Sequence, residues 1–400
     1  IYFWVFNKNK FWSQDLKMEF DFVVLGATGA QGKIVSRDLL ENRYSVLLCG
    51  RNKKRITKIL KNYDKAFFEH IEMNDIKSLI NIIKNSNAKI VINCVEGDWN
   101  LHVLKACINA KVHCIDLGSE IEMTKKQLLM YNLLKKKNLI SITGCGSVPG
   151  IGNIMLNYAS KKFDIIKTIE VGFSWTSNIK KFVTPFSIQS IIEEFTKKAI
   201  ILENNKWEKV TPLISIRKKF HKNIGKQKEF LVTHPEIYTF YHYFKNMGLR
   251  NIRFYAGFPN HSFEKIISMI DLGLGSKEEI KFKGIKIKPV EFLTEVLKNI
   301  EYPKGYEEKE NLYVDIYGKK NNKKKRILME CLVSTLKGWK DAGCNIDTGI
   351  PASIIAQMIK KEEIIDRGSF APEAVVPTEI FFKELRKRKM IVMKNNNIIN

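Results

Sequence analysis

The chain has 400 residues, is 44% hydrophobic and carries a formal net charge of +25. That length holds two domains, each with a real core, and no apolar run approaches the ~20 residues of a membrane helix, so no membrane partner is expected. The charge invites a nucleic-acid reading, but lysines outnumber arginines 56 to 11 and are scattered, whereas nucleic-acid readers cluster arginine with aromatics. No specific nucleic-acid partner is expected.

Residues 1–17, IYFWVFNKNKFWSQDLK, are aromatic and basic and lack the apolar core of a secretory signal. Met18 stands just before the first strand, so residues 1–17 read as a non-native or disordered upstream extension. Phe22-Val23-Val24-Leu25 is an apolar run suited to a buried parallel strand. It breaks into Gly26-Ala27-Thr28-Gly29-Ala30-Gln31-Gly32, after which Ile34, Val35 and Leu39 fall at helical spacing. Strand, glycine turn and helix are the setting a dinucleotide-binding fingerprint requires. Gly26 allows the tight turn, Gly29 leaves room for a pyrophosphate, Gly32 lets the helix approach the strand, and the helix start offers N–H groups to the phosphates.

The second strand ends in Gly50-Arg51-Asn52 where an NAD enzyme would place an acid for the ribose hydroxyls. Gly50 leaves space and Arg51 suits a 2′-phosphate, so NADP(H) is preferred, with NAD(H) possible. Strands are expected at 22–25, 45–49, 66–71, 89–93, 112–115 and 139–142, with helices near 30–42, 53–61, 75–84, 99–110 and 122–136. This alternation is the mark of an α/β, Rossmann-type doubly wound parallel sheet over residues 18–150.

Ligands of such sheets lie at the carboxyl ends of the strands. The fourth strand ends at Asn93-Cys94-Val95-Glu96, placing Asn93, Val95 and Glu96 beside the nicotinamide half. The fifth delivers Asp116 and Glu120, candidates to hold a substrate ammonium or to move a proton; a helix-capping role for Glu120 stands beside that reading. The stretch Gly144–Asn153 is a glycine-rich loop at the domain crossover, with Gly146 and Pro149 expected to touch substrate. Cys145 within it has no histidine framework and reads as a packing residue.

Beyond the crossover, residues 151–340 read as an α+β domain with a mainly antiparallel sheet. Its strands are expected at Lys167–Trp175, Phe230–Thr233, Ile252–Gly257, Leu312–Tyr317 and Ile327–Val333, and its helices at Phe186–Lys198 and Pro289–Asn299. The basic run Lys319–Arg326 lies between two strands and reads as a hairpin turn. His234-Pro235-Glu236 is expected in a loop between the domains, with His234 a proton-transfer candidate and Glu236 and Tyr238 near the substrate. Residues 341–390 are helical, the last long helix starting with Thr348 or Gly349 as N-cap and Pro351 in its first turn, and 391–400 form a tail expected to be frayed from Lys394 on. The seven cysteines form no CxxC pair, so no metal site and a reducing, cytoplasmic setting are expected.

GATGAQGKIV, the CGRN end of strand two, VINCVEGDWNLHVLKACINAKVHCIDLGSE and GCGSVPGIGN together resemble the saccharopine dehydrogenase-like oxidoreductases. HPEIYTFYHYF and GIPASIIAQMIKKEEIIDRGSFAPE extend the resemblance, which spans Phe20 to Lys389. It implies an NAD(P)-binding domain, a second domain carrying homodimer contacts, and late helices returning to the first domain. It also implies hydride transfer at a C–N centre of an amino-acid-like small molecule, as in saccharopine reductases, lysine 6-dehydrogenases and carboxynorspermidine-type synthases. The chain departs from the family in showing no arginine set for the two halves of saccharopine. Two other readings remain: a reductase of conjugated carbonyl compounds, and a non-catalytic sensor, since GATGAQG also resembles NmrA-like proteins.

Overall fold

The computed structural model describes residues 19–183, 188–297, 300–301 and 303–400. The expected extension, residues 1–17, lies outside the described residues, as do the first residues expected in the helix at 186–198 and the last two of that at 289–299.

The first half alternates β1 (Phe22–Leu25), α1 (Ala30–Glu41), β2 (Val46–Gly50), α2 (Thr57–Asn62), β3 (Ala66–His70), α3 (Ile76–Asn85), β4 (Ile90–Asn93), α4 (Asn100–Ala110), β5 (His113–Asp116), α5 (Ile121–Leu128), α6 (Tyr131–Lys136) and β6 (Ile140–Ile142). All six strands run parallel, in the order β6-β5-β4-β1-β2-β3. All but the edge strand β3 are buried on both faces at their centres, which is why they read as continuous apolar runs rather than alternations.

The second half begins with α7 (Ile151–Ser160), β7 (Ile165–Ser177), α8 (Ile188–Thr196), β8 (Ala199–Glu203), β9 (Lys206–Val210), β10 (Arg217–His221), β11 (Gly225–Leu231), α9 (Glu236–Phe244), β12 (Asn251–Phe258) and α10 (Asn260–Asp271). A small hairpin, β13 (Ile280–Phe282) and β14 (Ile285–Ile287), then leads to α11 (Pro289–Leu297), β15 (Glu308–Lys320) and β16 (Lys323–Ser334). The sheet runs β10-β11-β12-β7-β15-β16 and is antiparallel except where β12 meets β7. Asn321 and Asn322 both take positive φ between β15 and β16, the geometry of a tight hairpin turn, so the basic run is indeed the turn of a long hairpin. The apolar face of this sheet shares one core with β1, β2, α1 and α7, including Phe22, Val24, Ile154, Val171 and Phe254.

The final segment is α12 (Ile346–Lys360), β17 (Gly368–Phe370), α13 (Pro372–Val375), α14 (Thr378–Lys387), β18 (Ile391–Lys394) and β19 (Asn397–Ile398). Three expectations are corrected here. Helix α12 starts at Ile346, so Thr348 and Gly349 are inside it and Pro351 is an interior proline. Burial of Ile346 and Ile350, and the approach of Gly349 to Ile34 on α1, outweigh the one hydrogen bond that Pro351 removes. The strand β17, unforeseen because it is only three residues long, pairs with β6 as a seventh parallel strand. The expected frayed tail is ordered: β18 pairs with β16, β19 folds back on β18, and the Asn400 amide donates to the carbonyls of Phe382 and Met390. No described helix is long and apolar enough to cross a membrane.

Candidate active site

The turn after β1 has the geometry of a phosphate cradle. Gly26 takes φ +74°, and a Cβ there would lie 2.7 Å from the Cys94 carbonyl. A Cβ on Gly32 would collide with the Gly26 carbonyl, so the helix can sit this close to the strand only with glycine. Gly29 is the N-cap of α1, and the first-turn N–H groups of Ala30, Gln31 and Gly32 have no acceptor within the helix. The buried Gln31 Oε1 also has no partner. These residues fit a dinucleotide pyrophosphate.

At the end of β2, Arg51 is exposed and forms no ion pair with any described carboxylate, leaving it available to a 2′-phosphate. Asn52 accepts from Lys54 N at 3.0 Å and caps the next turn. The room expected beside Gly50 is taken by Thr28, whose Cγ2 would lie 2.7 Å from a Cβ there. Gly50 thus makes space for Thr28 rather than for the cofactor. Arg51→Asp should lower the ratio of NADPH to NADH affinity by about 10–100-fold; equal ratios in paired fluorescence titrations would show that Arg51 does not read the phosphate.

The carboxyl edge of the sheet is organised by buried amides and one buried acid. Asn93 donates to Asn100 Oδ1 at 2.8 Å and accepts from Val95 N at 3.3 Å, while Asn100 donates to the Gly118 carbonyl at 3.2 Å. Val95 is half-buried and Glu96 exposed. Asp116 receives hydrogen bonds from Gln127, Thr143 and the N–H groups of Gly118 and Gly144, at 2.6 to 3.3 Å. Burial raises its pKa against those bonds. Both oxygens are engaged in tying together the ends of β5 and β6, which leaves the ammonium and proton roles expected of Asp116 without support. Glu120 is exposed and pairs with Lys197 at 2.6 Å across the domain boundary, and its side chain does not cap α5.

The loop after β6 closes on itself, with Gly146 N donating to the Pro149 carbonyl at 2.8 Å and Pro149 seated between Gly118 and Gly144. Cys145 is buried, which raises its thiol pKa, and it donates to Ile142 O; it is a packing residue. Against this loop stands His234. Its Nδ1 donates to the Val148 carbonyl at 3.1 Å, its ring stacks on Phe254, and its nitrogens lie 3.8 Å from Glu194 and 3.7 Å from Glu236. Burial disfavours the imidazolium, but the Glu194 contact and the charge of Glu236 outweigh it, so its pKa is raised.

Glu236, the first residue of α9, is fully buried and neither oxygen has a hydrogen-bond partner. Burial pushes its carboxyl up to about 7. Glu373, from α13, accepts from Asn153 at 2.7 Å. Glu194, Glu236 and Glu373 form no ion pair with a lysine or arginine among the described residues, in a chain of net charge +25. Tyr238 is half-buried one helical step from the site, with Lys125 5.2 Å from its ring. Glu194 and Glu373 were not foreseen. Glu194 does carry a signal, since it lies beside the buried stripe Ile188, Ile191, Ile192 and Phe195 of α8. Among the described residues no cluster could hold a metal ion.

A doubly wound sheet with an open glycine turn, faced by the acidic wall of an α+β domain, defines a dinucleotide-dependent oxidoreductase. The model of the saccharopine dehydrogenase NADP-binding domain matches residues 22–139, and that of the saccharopine dehydrogenase C-terminal domain matches residues 139–391. Carboxynorspermidine synthase of Vibrio cholerae is 24% identical over 324 residues, covering 77% of this chain and 78% of that protein. Carboxyaminopropylagmatine dehydrogenase of Synechocystis is 23% identical over 378 residues, covering 90% and 94%. The structure of apo saccharopine dehydrogenase (L-Glu forming) from Saccharomyces cerevisiae shares the fold, with a TM-score of 0.75 at 11% identity over 95% of this chain and all of that one. The chain belongs to the saccharopine dehydrogenase family. It is an NADP(H)-dependent oxidoreductase.

Proposed function

We propose that the protein reduces, or in reverse forms, a C=N bond joining an amine to a carbonyl compound, with an amino-acid-like or oligoamine adduct as substrate. The observation that carries this reading is the set of buried carboxylates, Glu236, Glu373 and Glu194, gathered around His234 with no lysine or arginine paired to them among the described residues. A carboxylate wall recognises an ammonium, whereas a conjugated carbonyl substrate calls for an apolar pocket. The names of the relatives agree, each pairing a carboxyl group with an oligoamine.

Gly26, Gly29, Ala30, Gln31, Gly32 and Arg51 hold the cofactor, and NADPH bound there supplies a hydride to the C=N carbon. The nitrogen gains a proton. His234 Nε2 holds that proton, since Nδ1 is committed to the Val148 carbonyl and the Glu194 contact favours the charged ring. Thr28 and Asn93 shape the turn and the β4 edge from behind, and Val95 and Glu96 border the nicotinamide half. Gly146 and Pro149 hold the loop that His234 grips, and Tyr238 stands at its outer side. Residues 18–150 form the dinucleotide domain, 151–340 the substrate and dimer domain, 341–390 the returning helices and 391–400 the tail. The family resemblance supports a homodimer, and the seven free cysteines suit the cytoplasm.

Incubation of the protein with NADPH and diamine mixtures containing a short aldehyde or 2-oxo acid, alongside saccharopine and lysine with NADP+, tests the reading. Consumption of NADPH with one amine mixture supports it, and turnover only with conjugated carbonyls overturns it. His234→Asn should lower kcat about 100-fold with NADPH affinity unchanged; a fully active variant would remove His234 from the mechanism.

A further inference from the structure

A narrow cavity lies where α5 of the first domain meets α9 of the second, at the carboxyl ends of β5 and β6. Gly118, Thr124, Gly144, Pro149, Glu236 and Thr239 line it. Its free space is close to that of one water molecule. Most polar groups on its wall are engaged: Thr143 donates to Asp116, and the Asn153 amide bridges Gly150 N and Glu373. The exceptions are both oxygens of Glu236 and the hydroxyl of Thr124, all fully buried and without a partner.

We propose that this cavity is a subsite for one primary ammonium group of the substrate, held by Glu236 and Thr124. The proposal rests on the amine reading above and makes it specific. An ammonium donates three hydrogen bonds to oxygens that His234, at 3.7 Å, is too far away to satisfy. A water offers two donors and no charge. A guanidinium is planar with five N–H donors and is too large for a space of this size. The subsite therefore takes a primary amine end and excludes a guanidino end, so a ligand that carries both must enter amine first. Binding needs the ionised carboxylate. The titratable groups facing it are His234 from the preceding loop, Glu373 from α13, Glu194 from α8 beyond His234, and Asp116 from β5 behind Thr143.

The test is equilibrium binding to the NADPH-saturated protein of butylamine, 1-butanol and butylguanidine. Butylamine should bind at least ~10-fold tighter than both 1-butanol and butylguanidine, and its advantage should grow as pH rises through about 7. Glu236→Gln should abolish both the advantage and its pH dependence with NADPH affinity unchanged, and Thr124→Val should reduce the advantage. An unchanged preference in Glu236→Gln, or butylguanidine binding as tightly as butylamine, overturns the subsite; if Glu236→Gln does not fold, Thr124→Val and the wild-type comparison decide. No turnover is needed. Discrimination without any NADPH oxidation would sink the reaction and keep the subsite, and oxidation without discrimination would do the reverse.

Discussion

Gly29→Val is expected to weaken NADPH binding by at least ~100-fold, about 2.7 kcal/mol, while the protein remains folded. Gly29 is an N-cap with φ −80° and ψ 175°, a conformation open to valine. Inside the protein its Cβ would meet the Gly26 carbonyl at 3.2 Å, a tight contact that a shift of a few tenths of an ångström relieves. The valine methyl groups would instead stand over the first-turn N–H groups of Ala30 and Gln31, where a pyrophosphate must approach. Gly32→Val would not be informative, because its Cβ collides with the backbone of Gly26 and Ala27 and perturbs the fold itself. Unchanged NADPH affinity in a folded Gly29→Val protein would overturn the glycine turn as the phosphate site.

Glu236→Gln should make the ligand-free protein more stable at pH 8 and leave it nearly unchanged at pH 5. Burial pushes the carboxyl up to about 7 in the folded chain, from an ordinary value near 4.5. Between those values the folded state holds a proton that the unfolded state has released, so stability falls as pH rises through that window. Above about 7 the buried charge, which faces His234 at 3.7 Å but accepts no hydrogen bond, costs roughly 2–4 kcal/mol, which an isosteric amide avoids. His234 moves in the same direction, its raised pKa giving stability that is lost as pH rises, so the variant and wild type must be compared at each pH. Denaturant curves at pH 5 and pH 8 measure the difference. Equal stability at pH 8 would mean that Glu236 is compensated in the free protein. A destabilising charge retained at a cavity wall is what a binding site requires, since the ligand supplies the missing partner.

The first domain was legible because its signals are local. Phe22–Leu25, the glycines at 26, 29 and 32 and the Arg51 position lie within one short stretch, and each residue type follows from backbone geometry or from charge at a strand end. Asp116 shows where local reading stops. Its place at the end of β5 was correctly located, but Gln127 and Thr143, distant in sequence, saturate its oxygens. Glu236, singled out with His234 two residues before it, emerges as the acid without a hydrogen bond only after α5, α9 and the loop after β6 have closed around it.

The sequence by itself determined the doubly wound sheet, the dinucleotide turn and the change to an antiparallel second domain. Hydrophobic periodicity, glycine spacing and turn chemistry act over a few residues and need no distant partner. The tertiary structure decided which carboxylates are spent on structure and which remain for a ligand, that β17 completes the first sheet, and that the last residues pair with β16. Those outcomes depend on burial and on hydrogen-bond saturation by residues far apart in the chain. A carboxylate looks the same in sequence whether four donors surround it, as at Asp116, or none, as at Glu236.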